Sequence, residues 1–200
     1  MALIKLNDRA VKDATTFGSI SSLGEMEFIS KATASASASI EFTSGIDSTY
    51  KEYVFYFHSI HPQTDSVIFE FQGNASGESG YNETITSTAF FYQHNEIGTD
   101  AEVNYGIASD QAQGTAFQEI AREIGNGADE CLSGYLQLFN PSSTYVKHFM
   151  STVNYYDKAN YSKGVKTAGY FNTINAIDQI QFKMSSGNID AGEILLFGIN

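Results

Sequence analysis

Apolar and polar residues alternate in short stretches along the chain, and residues typical of turns separate these stretches. In the stretch from Tyr50 to Ile60, Phe55 and Phe57 lie on one face while Val54 and Tyr56 lie on the other. A period of two predicts a β-strand. A strand that is apolar on both faces is typical of the interior of a sheet covered on its two sides, so we place this one inside a β-sandwich.

The last third of the chain repeats this pattern. The segment from Gly134 to Phe149 is a short β-type run that is broken at Asn140-Pro141 and then resumes. In the segment from Ile177 to Ile199, apolar and polar residues again alternate on both sides of a Ser-Ser-Gly-Asn turn. These segments are predicted to be the closing strands of the sandwich.

Composition supports an all-β fold. The chain has 12 Tyr and 15 Phe, 17 Gly and no Trp, and small polar residues separate its short apolar runs. Two hundred residues suffice for one core. We therefore predict a single antiparallel β-sandwich over residues 25–200, preceded by an extended N-terminal arm over residues 1–24. The arm carries one apolar patch, Leu3, Ile4 and Leu6, which is suited to docking on a neighbouring subunit.

Three local assignments depend on the spacing of turns and on short repeats. The strands Tyr50–Ile60 and Val67–Gln72 are separated by the six residues 61–66 and are predicted to form a hairpin. Residues 32–39, a run of alternating small residues, fit either a linker or a closely packed strand. In the acidic region 93–130, predicted to be mostly solvated loop, residues 111–124 fit either a short helix or a strand.

Charge and cysteine content narrow the possible partners. The formal net charge is −12, which disfavours binding to the phosphates of nucleic acid. No signal-peptide or membrane-spanning pattern is recognisable, so we expect no membrane association and assembly in a cytoplasm. The only cysteine, Cys131, is expected to be a small buried apolar residue. Between residues 145 and 170 the balance is basic, with four lysines against one aspartate.

Candidate chemistry is sparse. His58 and His61 are spaced i, i+3 at the end of a strand, where they point to opposite faces, so they are not expected to bind a metal together. No nucleophile-elbow, phosphate-loop or dinucleotide motif is recognisable. If the chain were a glycoside hydrolase, its candidate carboxylates would be Glu70, Glu83 and Glu193, which lie on predicted strands. The sequence predicts a protein without catalytic residues, cofactor or metal.

Six tyrosines stand in or beside predicted loops and are candidates for an interaction surface. Exposed aromatic rings with polar neighbours can hold a sugar. Tyrosine is also enriched at protein interfaces, and we favour subunit contact over sugar binding. The six candidates are Tyr81, Tyr92, Tyr105, Tyr155, Tyr156 and Tyr161.

Four segments resemble virion structural proteins of tailed bacteriophages, especially marine ones. They are Met1–Val11, Phe42–Phe55, Leu138–Thr144 and Phe182–Ile199, so the resemblance spans nearly the whole chain. It implies a sandwich of jelly-roll type, present in multiple copies on the particle as a tail-fibre or appendage module or as a capsid decoration. These motifs mark strands and turns, so the resemblance carries over no catalytic residue.

The expected function is therefore that of a non-enzymatic virion structural protein. Its expected partners are copies of itself, most simply as a trimer, and other virion proteins. The alternative is a carbohydrate-binding module that recognises a host surface glycan through the tyrosines.

Overall fold

The computed structural model describes residues 26–200, which form two packed antiparallel β-sheets. This arrangement confirms the prediction of an all-β sandwich. The predicted arm, with Leu3, Ile4 and Leu6, lies outside the described residues. The strands are β1 (Met26–Thr33), β2 (Ile40–Phe42), β3 (Glu52–Pro62), β4 (Val67–Ala75), β5 (Ile85–Asn95), β6 (Ala101–Tyr105), β7 (Gln118–Ile124), β8 (Leu132–Phe139), β9 (Lys147–Tyr156), β10 (Tyr161–Phe171), β11 (Ile177–Met184) and β12 (Ile189–Ile199).

The two sheets differ in width. The larger has eight strands in the order β1-β12-β3-β8-β9-β10-β5-β6, and the smaller has four in the order β2-β11-β4-β7. Four strand pairs are nested in the sequence: β1 with β12, β2 with β11, β3 with β8 and β4 with β7. The strands β9, β10, β5 and β6 extend the larger sheet beyond this nested set.

Aromatic packing between the sheets forms the core. Phe182 of β11 is fully buried and lies against Phe55 and Phe57 of the opposite sheet, with both centroid distances 5.3 Å. Its ring also stacks on that of Phe69 in the neighbouring strand β4. The alternating phenylalanines recognised in the sequence are therefore the residues that join the two sheets.

The predicted hairpin between residues 50–60 and 67–72 is wrong, because β3 and β4 belong to different sheets. Both edges of β3 are already occupied, by β12 and by β8. Crossing to the other sheet instead brings the rings of Phe57 and Phe69 into edge-to-face contact across the core, with their centroids 5.3 Å apart. The Ser-Ser-Gly-Asn turn likewise connects strands of opposite sheets, β11 and β12.

Residues 93–130 are more ordered than the sequence suggests. They contain β6 and β7, and residues 26–200 include no helix. The helical alternative for residues 111–124 is therefore wrong. Gln113 has a positive φ of 54°, and Gly114 pairs with Ile85, so a helix cannot continue through this point. From Gln118 onward the chain pairs with β4 as a strand.

The run of small residues between 32 and 39 combines features of the two predicted alternatives, a linker and a closely packed strand. β1 continues to Thr33, Ala34 is buried, and Ser37 forms a bridge with Ile189. The segment therefore packs along β12 without being one continuous strand. Within residues 26–200, no helix is long and apolar enough to cross a membrane.

Candidate interaction surface on the larger sheet

Strand register brings Tyr92, Tyr105 and Tyr156 to the outer face of the larger sheet. Tyr92 of β5 lies opposite Val103 of β6, and Phe90 lies opposite Tyr105. Residues directly opposite in an antiparallel pair share a face. We call Phe90, Tyr92, Val103 and Tyr105 the β5–β6 patch; all four side chains are exposed.

Local packing holds these rings in place. The rings of Phe90 and Tyr105 meet edge to face with centroids 5.2 Å apart, and the Tyr105 hydroxyl donates to Asp110 Oδ2 at 2.6 Å. The ring of Tyr92 lies across Gly164 of β10, where any side chain would overlap it. The patch therefore presents ordered aromatic rings.

The structure separates the six candidate tyrosines. Tyr155 is on the inner face of β9 and is buried, so its prediction as a surface residue is wrong. Strict alternation along β9 forces this result, because the neighbouring Tyr156 points outward. Tyr161 begins β10 on the inner side and donates its hydroxyl to Asp100 Oδ2. Tyr81 precedes β5 and lies near Glu41 and Gln179.

A shallow groove with an aromatic ring and several polar side chains adjoins the β5–β6 patch. It has a volume of about 380 Å³, and its lining includes His94, Asn154, Tyr156 and Ser162. The Tyr156 hydroxyl donates to Asn160 Oδ1 at 3.0 Å. An aromatic ring beside amide, imidazole and hydroxyl groups has the chemistry to contact a sugar ring and its hydroxyls.

A second set of outward aromatic residues was missed in the sequence analysis. Phe28, Phe197, Tyr56 and Tyr135 come from four adjacent strands, and successive ring centroids are 5.5, 5.7 and 6.1 Å apart. We call these four residues the aromatic row. The alternation in β3 predicted that Tyr56 lies on the face opposite Phe55 and Phe57. The aromatic residues beside it are identified only by the order of the strands in the sheet.

Charged side chains lie beneath the β9–β10 turn. Lys163 Nζ is 2.7 Å from Asp157 Oδ2 and 3.2 Å from Glu123 Oε2. The Asp157 side chain is only 2% exposed, and its carboxylate also accepts hydrogen bonds from the backbone N–H groups of Ala159 and Tyr161. The ion pair and these hydrogen bonds stabilise the turn between Tyr156, which ends β9, and Tyr161, which begins β10.

These ion pairs and the surrounding burial shift the pKa values of the side chains involved. The hydrogen bond from Lys163 lowers the pKa of Glu123. Burial opposes the charged form of Lys163, but its hydrogen bonds to Asp157 and Glu123 prevail and raise its pKa. Burial also raises the pKa of Tyr155 to about 12. Glu123 and Lys163 are therefore charged at neutral pH, and the Tyr155 phenol is neutral.

The basic segment 145–170 is less of a surface feature than its sequence suggests. Lys147 is buried, and its ammonium donates to the carbonyl of Thr173 at 2.9 Å. Lys163 is largely buried in its ion pairs, whereas Lys166 is exposed. Two of the four lysines thus serve internal contacts.

The three candidate catalytic carboxylates have separate surroundings. Glu70 lies on the smaller sheet near Lys183, at 3.5 Å, and Glu193 on the larger sheet pairs with Lys31, at 2.6 Å. Glu83 accepts a hydrogen bond from the Ala75 backbone N–H. Glu70 and Glu193 are on opposite sheets and cannot form a catalytic pair, and the register neighbour of Glu70 is Glu119.

The histidines and the cysteine also have local roles. His61 Nε2 lies 3.1 Å from the carbonyl of Gly127, and His58 is exposed opposite Glu193. Their predicted opposite orientation is wrong, because Ser59 has a positive φ of 50° and forms a bulge, after which Ile60 faces the core and His61 faces outward like His58. Over residues 26–200, no three His, Cys, Asp or Glu side chains are grouped so that they could hold a metal ion. Cys131 is partly exposed, so its predicted full burial is wrong: it precedes β8, and the buried position is Leu132.

Comparisons with protein-family models, with curated proteins and with solved structures give no match to this chain.

Proposed function

We propose that the chain is a non-enzymatic structural protein of a tailed-bacteriophage particle, assembled in the host cytoplasm and displayed on the virion as a tail-fibre or appendage module or as a capsid decoration. It acts by binding copies of itself and other virion proteins. The observation that carries the proposal is the nested strand pairing, combined with a wide outer sheet face that exposes ordered aromatic rings.

The strand order supports a jelly roll. In such a fold, a long antiparallel ribbon is rolled so that its successive strand pairs alternate between two sheets. Here β1·β12 and β3·β8 fall in the larger sheet, while β2·β11 and β4·β7 fall in the smaller one. Jelly rolls are frequent in viral capsid and lectin domains, which agrees with the sequence resemblance to virion proteins.

The outer face of the larger sheet is the proposed contact surface. Tyrosine and phenylalanine are enriched at interfaces because they bury much area at a low entropic cost. The β5–β6 patch and the aromatic row supply such residues on one continuous sheet. Each carboxylate considered for catalysis instead has its own lysine or backbone partner, which favours structural roles for all three.

The test is to measure the mass of the purified chain by light scattering and then to locate it in particles by cryo-electron microscopy. We expect an oligomer that occupies fixed positions on the virion with the larger sheet facing a neighbour. A chain that is monomeric at all concentrations and absent from particles would overturn the proposal.

The N-terminal arm is proposed as a second assembly element. Its patch of Leu3, Ile4 and Leu6 would dock on a neighbouring subunit. Deleting residues 2–20 should leave thermal unfolding unchanged but reduce incorporation into particles. A truncated chain that enters particles at the normal level would refute the role of the arm.

Carbohydrate binding is the second candidate, favoured by the groove beside Tyr156. A glycan array probed with the intact chain tests it directly. A specific signal that is lost in Tyr156→Ala, but kept in the control Tyr145→Ala, would assign the groove to a host glycan. Tyr145 is a suitable control because it is exposed in the connection between β8 and β9.

A further inference from the structure

The free edge of β6 differs from the other three sheet edges. β1 has a bulge between Phe28 and Ser30 and carries Lys31. β2 has only three residues, and the pairing of β7 with β4 shifts register twice. Bulges, lysines and short lengths are the usual means by which proteins prevent edge-to-edge pairing.

β6 has no bulge and no lysine, and with five residues it is longer than β2. It pairs with β5 without a register shift, it contains no Lys, Arg or Pro, and its single charged residue is Glu102. All five of its residues are exposed. Among residues 26–200, no strand pairs with its other edge. The edge is therefore open to another strand.

The backbone groups on this edge can be identified. Gly106 N–H donates to the carbonyl of Ala89, and Asn95 N–H donates to that of Asp100. Hydrogen-bonded pairs alternate along an antiparallel ladder, so Glu102 and Asn104 bond to β5. The N–H and C=O groups of Ala101, Val103 and Tyr105 therefore point away from it.

From this geometry we infer that β6 pairs antiparallel with β6 of a second copy, about a two-fold axis at Val103. The inference rests on the self-assembly in the proposed function and names its contact. The two Val103 residues would form one hydrogen-bonded pair, and Ala101 would face Tyr105 of the other copy on each side. These three pairs supply about six backbone hydrogen bonds, in two of which the Tyr105 carbonyl, already an acceptor from Ile107 N–H at 3.1 Å, accepts a second N–H.

The side chains in this register are complementary. Glu102 faces Asn104 of the second copy, so no like charges oppose one another. The two groups are compatible, because Asn104 Nδ2 already donates to Glu102 within one strand. On the outer face the two β5–β6 patches become contiguous, and the exposed Val103 side chains meet at the axis. One patch matched to itself is the geometry of a two-fold interface.

Such a contact predicts pairs of subunits, which differs from the trimer expected from the sequence. The larger sheets of two copies would join into one continuous sheet across the axis. Because the contact closes on itself, it would not propagate into filaments.

The test uses substitutions at Val103 in the full chain. Val103→Lys places two ammonium groups together at the axis and should weaken self-association by about 100-fold or more. Val103→Glu should do the same. An equimolar mixture of the two variants should associate again, because the opposed charges are then complementary.

The matched control is Ile174→Lys. Ile174 is 74% exposed and Val103 is 75% exposed, and Ile174 lies in the connection between β10 and β11. The control should sediment like the unmodified chain in analytical ultracentrifugation. Thermal unfolding at a concentration where all the chains are monomeric should be alike for every variant, which excludes misfolding as the cause.

The outcomes separate the two proposals. Loss of association in both Val103 variants with recovery in the mixture supports pairing through β6. An oligomer that tolerates Val103→Lys overturns the β6 contact while leaving self-assembly intact. An unmodified chain that is monomeric at every concentration overturns both the β6 contact and the self-assembly in the proposed function.

Discussion

Removing the ammonium of Lys163 should destabilise the protein far more than removing a neighbouring surface ammonium. Lys163→Met keeps the apolar stem but leaves the buried carboxylate of Asp157 without its cation. Breaking one partner of a buried ion pair costs about 3 to 5 kcal/mol. Asp157 retains two backbone N–H donors, so we expect the lower end, about 3 kcal/mol.

The matched control is Lys158→Met. Lys158 Nζ lies 3.5 Å from Glu123, but its side chain is 39% exposed. An exposed pair contributes below about 1 kcal/mol. The free energy of unfolding from urea titration, followed by circular dichroism, compares the two variants. For a chain of this size, about 3 kcal/mol corresponds to a melting temperature lower by roughly 6 to 12 °C.

A second substitution tests the cause. In the Lys163→Met background, Asp157→Asn removes the uncompensated charge, while an amide oxygen can still accept from the turn. The double variant should recover part of the lost free energy, which a double-mutant cycle reports as coupling. The reasoning is refuted if Lys163→Met costs no more than Lys158→Met, or if Asp157→Asn brings no recovery.

Three further outcomes test the core and the titrating groups. Phe182→Ala leaves a cavity and should lower the free energy of unfolding, measured in urea, by about 3 to 5 kcal/mol. Phe28 is half-exposed, so Phe28→Ala should lower it by less than about 1 kcal/mol. Similar losses for the two variants would contradict the assignment of Phe182 to the core. The pKa of Glu123 is lowered in the folded protein, so its ionisation stabilises the fold at pH values above the unfolded pKa near 4.5. This stabilisation disappears as pH falls through the folded pKa. Glu123→Gln should therefore lose less stability than the unmodified chain when the pH is lowered below 4.5. Tyr155 holds its proton to about pH 12, so its contribution is complete below the ordinary value of 10 and disappears as pH rises toward 12. Tyr155→Phe should therefore lose less stability in that alkaline range, and an unchanged alkaline profile would contradict the buried phenol.

The alternation of residues along single segments determined much of the local structure. It predicted the strands around Phe55 and Phe182, the break at Asn140-Pro141 between β8 and β9, and the sandwich that buries their phenylalanines. Because side chains alternate along a strand with a period of two, the sequence shows which residues share a face. Hydrophobic burial then requires the apolar face to turn inward. The rule fails for His58 and His61, because the bulge at Ser59 shifts the alternation and leaves both histidines on the outer side of β3.

Tertiary structure decided which strands are neighbours. The connection between β3 and β4 is short enough for a hairpin, yet it crosses between sheets because the edges of β3 are occupied. The arrangement of the strands also explains why Tyr155 is buried and why Lys163 lies beside Asp157. It likewise brings together the four rings of the aromatic row, Phe28, Phe197, Tyr56 and Tyr135. Each of these contacts joins residues on separate strands, and the pattern within a single strand does not specify its partner. Within residues 26–200, the unpaired outer edge of β6 likewise follows from the order of the sheet.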